Sequence, residues 1–200
     1  MLPTNRKVVA LTFDSGGSSD GVTSVLATLA REHVPATFFL TSDFVDRFPA
    51  LSRDIAAHPV GNQTYDSPDL TALTDSGIRT EIRSAAARIE AVTGRDPRPL
   101  LRFPDGALTA HLVGLVNAEC YVPFRWTVDS LGWQGVTGGQ SVDSVVRRVL
   151  AGARPGEIVL LRLGAHPEDH STLDADALPG IIAGLRAGGY GFVTLTAALR

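Results

Sequence analysis

Polar and charged side chains follow the apolar segments of this 200-residue chain. The first apolar run, residues 8–13, ends in Asp14, and later runs end in Gln63, Arg102, Asp129 and Arg162. Two acids, two guanidinium groups and an amide around one ligand could exchange protons with it and stabilise developing charge, which is the work of acid–base catalysis. This chemistry requires a fold that brings the ends of several strands together.

The spacing of apolar residues predicts such a fold. Short apolar runs alternate with segments of helical periodicity, among them helices over residues 43–57 and 75–92. This alternation indicates a distorted (β/α) barrel of about seven parallel strands, similar to a TIM barrel, with an open doubly wound sheet as the alternative. In such barrels the carboxyl ends of the strands meet on one face. The predicted strands cover residues 8–14, 35–41, 60–63, 100–104, 122–128, 158–163 and 192–195.

Composition limits the class of protein and its partners. The chain is 44% hydrophobic and 20% charged, which is typical of one globular domain over residues 1–200. A net charge of −3 predicts no nucleic-acid or anionic-membrane partner. A single cysteine, Cys120, excludes an internal disulfide, and no segment is apolar enough to span a bilayer. We therefore expect a cytoplasmic protein whose partner is a small-molecule or sugar-like ligand; its oligomeric state stays open.

Two further stretches could take part in a site. His166 and His170, with Glu168 and Asp169 between them, are the only clustered histidines, and a solvated loop is the favoured interpretation over a metal site. Trp133, in the glycine-rich segment 132–139, could be a platform for a substrate or could pack within its loop. We expect no metal and no other cofactor.

The order of motifs resembles that of the polysaccharide deacetylases of the nodulation-protein type, carbohydrate esterase family four. The resemblance extends over residues 8–195 and implies a distorted (β/α) barrel. It also implies a divalent metal ion and the removal of acetyl groups from N-acetylated sugars.

The family's metal ligands are replaced in this chain. Its first motif, Thr-Phe-Asp-Asp-Gly, has Asp14 as the general base, but Ser15 stands where the second Asp binds the metal. Its second motif, His-x-x-x-His-Pro, has Gln63 and Ser67 at the two ligand histidines. Neutral hydroxyl and amide groups are poor ligands for a catalytic divalent ion. The standard activity of the family is therefore not expected.

The remaining motifs are partly retained. Arg102 stands in the Arg-x-Pro-x-Gly pattern, where the family uses it to orient the base. Asp129 and Trp133 match the acid and the tryptophan that line the family's pocket. The general-acid histidine, however, is replaced by Arg162, which stays protonated and cannot cycle a proton.

Three hypotheses follow, of which the first is favoured. A metal-independent acid–base enzyme could carry out isomerisation, dehydration or cyclisation of a small molecule. Asp14 would be its base or acid, Arg162 with Gln63 would stabilise an oxyanion, and Ser15 and Ser67 would contact the substrate.

Of the two alternatives, the first needs no catalysis and the second needs a rebuilt metal site. A catalytically inactive protein could bind sugars on Trp133, with Asp14–Arg102 and Asp129–Arg162 as ion pairs. A divergent metal deacetylase could instead recruit Asp14, Asp66 or the His166–His170 loop as new ligands.

Overall fold

The computed structural model describes residues 1–199 and has the alternating architecture that the sequence predicts. Every strand pairing described below is parallel. The predicted fold class, an α/β protein of the distorted (β/α) barrel type, is confirmed. The elements are β1 Val8–Asp14, α1 Val22–Arg31, β2 Ala36–Leu40, α2 Ser42–Arg47, α3 Pro49–Ile55, β3 Val60–Asn62, α4 Asp75–Thr93, β4 Leu100–Leu101, α5 Ala110–Ala118, β5 Val122–Pro123, β6 Val128–Asp129, α6 Val142–Ala151, β7 Glu157–Arg162, α7 Leu173–Ala187 and β8 Gly191–Phe192.

The chain divides into two compact units, residues 1–37 with 126–199 and residues 38–125. The single domain expected over the whole chain remains a prediction. In the part of the chain that the structure describes, no helix is both long and apolar enough to cross a membrane. The cytoplasmic location likewise remains a prediction.

The first unit is built around β7, which pairs with β1 on one side and with β6 on the other. Strand β8 pairs with β1. All seven residues of β1 and the first five of β7 are buried, as expected for parallel strands that helices cover. The last residues of the two strands, Asp14 and Arg162, lie side by side in the β1–β7 register.

The second unit contains a run of four strands in which β3 lies between β2 and β4, and β4 also pairs with β5. Helix α4 begins where the Thr74 hydroxyl accepts a hydrogen bond from the Gly77 amide, and it ends at Gly94 with a φ of 66°. Buried Asn62 donates hydrogen bonds to the Ile82 carbonyl and the Tyr121 hydroxyl. The hydrophobic core cluster of the second unit comprises Leu70, Ile78, Ile82, Leu101, Phe103, Leu112, Leu115, Val116 and Tyr121.

Two predicted elements are each divided in the structure. The helix expected over residues 43–57 is two helices, α2 and α3, because Pro49 starts the second helix and Phe48 before it has a non-helical backbone with a φ of −130° and a ψ of 57°. The strand expected over residues 122–128 is two short strands, β5 and β6. Pro123 cannot donate a hydrogen bond within a sheet, which limits the length of β5.

Replacing Gly61 by alanine should destabilise the protein by about 1–3 kcal/mol, because a Cβ there would lie 2.7 Å from the Phe39 ring and 2.8 Å from the Leu100 Cβ. Urea unfolding measures this loss. Gly114→Ala is the matched control, since no atom lies within 4 Å of its Cβ position in α5, and it should stabilise by about 0.5–1 kcal/mol. Equal stability of the two variants would contradict the close approach at Gly61.

Candidate functional site

The carboxyl ends of β1 and β7 provide the centre of the candidate site in the first unit. Asp14 is 6% exposed, so its carboxylate lies largely away from solvent at the end of a buried strand. Its backbone carbonyl accepts a hydrogen bond of 2.8 Å from the Leu163 amide, which continues the pairing beyond β7. The structure thus brings Asp14 and Arg162 to one sheet end, as the sequence predicts.

The loop after Asp14 fits closely against the end of β7. A Cβ at Gly16 would lie 2.4 Å from the Leu163 carbonyl oxygen and 3.3 Å from the Arg162 Nε. A side chain at residue 16 would therefore collide with backbone, so the glycine is required for this approach. Ser15, a predicted substrate contact, is buried in the same loop.

The guanidinium of Arg162 faces a cavity of about 970 Å³ within the first unit. Its side chain is exposed in that cavity, and within residues 1–199 its guanidinium has no hydrogen bond or ion pair. The Arg162 backbone is held firmly, however, because its amide donates a 2.9 Å hydrogen bond to the Asp174 Oδ2. The site therefore presents a permanently charged group, carried on a fixed main chain, to the cavity.

Asp174 is a site residue that sequence reasoning missed. It is 4% exposed in the first turn of α7, and a Cβ on Gly132 would lie only 2.3 Å from its Oδ1. Burial raises the pKa of the Asp174 carboxyl to about 6, and Asp129 nearby acts in the same direction. Hydrogen bonds with Ser130 and with the Arg162 amide oppose this rise. An acid in a helix's first turn is common, so nothing in the sequence marked this one as buried.

Asp129 positions Trp133 rather than pairing with Arg162. The Asp129 Oδ1 accepts a 2.9 Å hydrogen bond from the Leu131 amide, and its Oδ2 accepts one of 3.4 Å from the Trp133 indole. The Asp129–Arg162 ion pair considered from sequence is therefore wrong: within residues 1–199 this carboxylate turns to its own loop. Trp133 lines the cavity and is 45% exposed, so its ring is available to a ligand.

Two glycine-containing loops, residues 132–139 and 164–172, form much of the cavity wall. The Thr137 amide and hydroxyl donate to the Asp169 Oδ2 at 2.7 and 2.9 Å. Gly135, with a φ of 68°, allows this contact because a Cβ there would lie 2.6 Å from both His166 and Asp169. Hydrogen bonds, first that of Ser171 and then that of Thr137, lower the pKa of Asp169. The loops are thus joined at the rim.

Three predicted site residues lie in the second unit. Arg102 follows β4 and is fully buried; its Nε donates a 3.3 Å hydrogen bond to the Phe124 carbonyl, and its guanidinium carbon lies 4.2 Å from the centre of the Phe39 ring. Gln63 follows β3, is buried, and its backbone amide donates a hydrogen bond of 3.0 Å to the Leu40 carbonyl. Ser67 is exposed in the next loop, with a φ of 64°.

The side chains present do not fit the divalent ion that the resemblance implies. Among residues 1–199, no three His, Cys, Asp or Glu side chains come together in a way that could hold a metal. In the His166–His170 loop, Asp169 is engaged by Thr137 and Ser171, and the His166 Nδ1 accepts backbone hydrogen bonds of 3.4 Å. The hydroxyl and amide groups of Ser15, Gln63 and Ser67 are neutral oxygen donors, whereas zinc sites use imidazole, thiolate and carboxylate.

Comparisons with known proteins agree with the fold and the motif order. The family model described as polysaccharide deacetylase matches residues 2–121. A peptidoglycan-N-acetylglucosamine deacetylase of Bacillus cereus is 31% identical over 96% of this chain and 68% of its own length. A chitooligosaccharide deacetylase of Azorhizobium caulinodans is 29% identical over 93% and 91%.

A solved structure is equally informative. A CE4 family pseudoenzyme from Bacillus anthracis superposes with a TM-score of 0.88 at 26% identity, covering 98% of this chain and 66% of the other. A mutant of that protein is described as a CE4 family pseudoenzyme with restored enzymatic activity. On the match over more than half of its length, this chain belongs to the polysaccharide deacetylase family.

Proposed function

We propose that this chain binds N-acetylated amino sugars and does not remove their acetyl groups by the family's metal-dependent reaction. The ligand class is supported by the relatives named above, which act on chitooligosaccharides or peptidoglycan. The small-molecule isomerase, dehydratase or cyclase chemistry that was favoured from sequence finds no support among these relatives. The proposal therefore takes up the binding alternative.

The substitutions affect the parts of the site that perform hydrolysis. Hydrolysis of an amide in this family depends on a metal ion that activates water and polarises the carbonyl group. Ser15, Gln63 and Ser67 offer no charged or imidazole ligand for such an ion. Asp14 and Trp133 are retained, so features that could contact a sugar remain while the metal ligands are replaced.

The observation that carries the proposal is the Arg162 guanidinium facing the cavity. A guanidinium donates five N–H groups in a fixed fork but does not give up a proton at neutral pH. At the family's general-acid position, this group can hold ligand oxygens and cannot protonate a leaving amine. Binding without turnover follows from the chemistry of this side chain.

The test is calorimetry with chitotetraose, together with assays for released acetate and free amine in the presence of added zinc, cobalt or nickel. We expect saturable binding and no acetate release under any of these conditions. Turnover with stoichiometric metal would contradict the proposal and support a divergent deacetylase. Turnover of a small carbonyl compound that Asp14→Asn abolishes would support the acid–base enzyme instead.

Trp133→Ala should weaken chitotetraose binding about tenfold, because an exposed aromatic face that stacks on a sugar contributes about 1–2 kcal/mol. Calorimetry under the same conditions gives the ratio of the two dissociation constants. Trp133→Phe retains an aromatic face and should lose much less. Equal affinity of the alanine variant and the unsubstituted protein would exclude the indole as a sugar platform.

A further inference from the structure

The cavity of the first unit contains an exposed cation, the guanidinium of Arg162. Within residues 1–199 the Arg162 guanidinium forms no ion pair and no hydrogen bond, although it lines a cavity large enough for a sugar ring. Arginine is well suited to bind carboxylate or phosphate, because its planar fork matches two anionic oxygens at once. The site thus holds the binding group for an anion.

The surrounding structure fixes the Arg162 backbone and leaves its head group free. Asp174 uses its Oδ2 for the Arg162 backbone amide, at 2.9 Å, so this carboxylate holds the main chain at the end of β7. A Cβ added at Gly16 would lie 3.3 Å from the Arg162 Nε, so the glycine leaves room for the arginine stem. Because the main chain is held in place, binding an anion requires only the ordering of the arginine side chain.

Asp174 interacts electrostatically with Arg162 but uses its Oδ2 for the Arg162 backbone amide and not for the guanidinium. Asp174 is buried beneath Gly132 and is directed to backbone, and burial keeps its carboxyl partly protonated near pH 6. Asp20 is exposed at the cavity edge. Two histidines, His166 and His170, also line the wall, and neither carries a negative charge. Within residues 1–199 neither Asp20 nor Asp174 hydrogen-bonds to the guanidinium, so its N–H donors remain available to an anionic ligand.

We infer that the cavity selects an amino sugar that carries an anionic oxygen group, with the Arg162 guanidinium binding that group and Trp133 contacting the ring. This inference rests on the proposed function, since it names which N-acetylated sugars the site prefers. A carboxylate and a phosphate would satisfy the same guanidinium fork, and the experiment distinguishes them.

The test compares three monosaccharides with the same body: N-acetylglucosamine, N-acetylmuramic acid with its carboxylate, and N-acetylglucosamine 6-phosphate. NMR titration at matched ionic strength gives the three dissociation constants. We expect at least one acidic sugar to bind about tenfold more tightly than the neutral one, because a charge-assisted bidentate contact is worth a factor of about ten or more. The more tightly bound acidic sugar identifies the anionic group.

Arg162→Gln should remove the preference for the acidic sugar, and Arg162→Lys should retain part of it, since lysine keeps the charge but lacks the fork. Arg53→Gln is the matched control because Arg53 is exposed on α3, in the other unit. The Arg53→Gln variant should prefer the acidic sugar over the neutral one by the same factor as the unsubstituted protein.

Two results would overturn the inference. Equal binding of all three sugars, or a preference that survives Arg162→Gln, would refute it while leaving sugar binding intact. Failure of every sugar, chitotetraose included, would refute the proposed function together with it.

Discussion

A triple variant, Ser15→Asp, Gln63→His and Ser67→His, should bind one zinc ion where the unsubstituted chain binds none tightly. By the resemblance to the family's motifs, its three metal ligands would stand at these positions, and the changes supply one carboxylate and two imidazoles, the donor types that zinc favours. Elemental analysis after dialysis, with zinc calorimetry, measures the gain. A rise from negligible binding to one equivalent is the largest single effect that we expect.

Adding Arg162→His to the triple variant should then produce measurable deacetylation of chitotetraose. A general acid contributes a factor of about 10²–10⁴ to rate, so the triple variant should hold zinc and still be slower than the quadruple variant by at least that lower factor. Tight zinc binding by the unsubstituted chain would instead show that other residues replace the lost ligands.

The sequence predicted the positions of the strand ends well because each depends on a local pattern. An apolar run that stops at a polar residue is visible without knowledge of the fold, and Asp14, Arg102 and Arg162 each stand at or directly after the end of a strand in the structure. The sequence also contains a proline near each point where a predicted helix or strand is divided in the structure. Pro49 and Pro123 are local signals that the periodicity of neighbouring residues outweighed.

Tertiary contacts were the part that sequence reasoning could not supply. The partner of Asp129 is the Trp133 indole four residues later, but the sequence offers the distant Arg162 as an equally plausible partner. The burial of Asp174 depends on Gly132, which lies 42 residues away and approaches its carboxylate. Such contacts are set by packing between elements, which periodicity does not encode.

Asp174→Asn should remove the contribution by which the Asp174 carboxyl lowers the stability of the protein as pH rises from about 4 to 6. Burial raises the pKa of this carboxyl from 3.8 to about 6, so between these values the folded state binds more protons than the unfolded state. The contribution of Asp174 to the free energy of unfolding must therefore fall as pH rises through this window. A difference of about two pH units corresponds to about 3 kcal/mol at 1.36 kcal/mol per unit.

An asparagine keeps the oxygen that accepts the Arg162 amide and cannot ionise, so it isolates the charge from the hydrogen bond. Urea unfolding gives the free energy of unfolding of both proteins at pH 4 and at pH 7. From pH 4 to pH 7 the variant should gain about 2–3 kcal/mol relative to the unsubstituted protein. Some slope will remain, because burial also raises the pKa of Glu157. Asp176 is an exposed acid in the same helical turn, so Asp176→Asn should change the difference in the free energy of unfolding between pH 4 and pH 7 very little. Parallel pH profiles for Asp174→Asn and the unsubstituted protein would mean that Asp174 ionises as freely in the folded state as in the unfolded one.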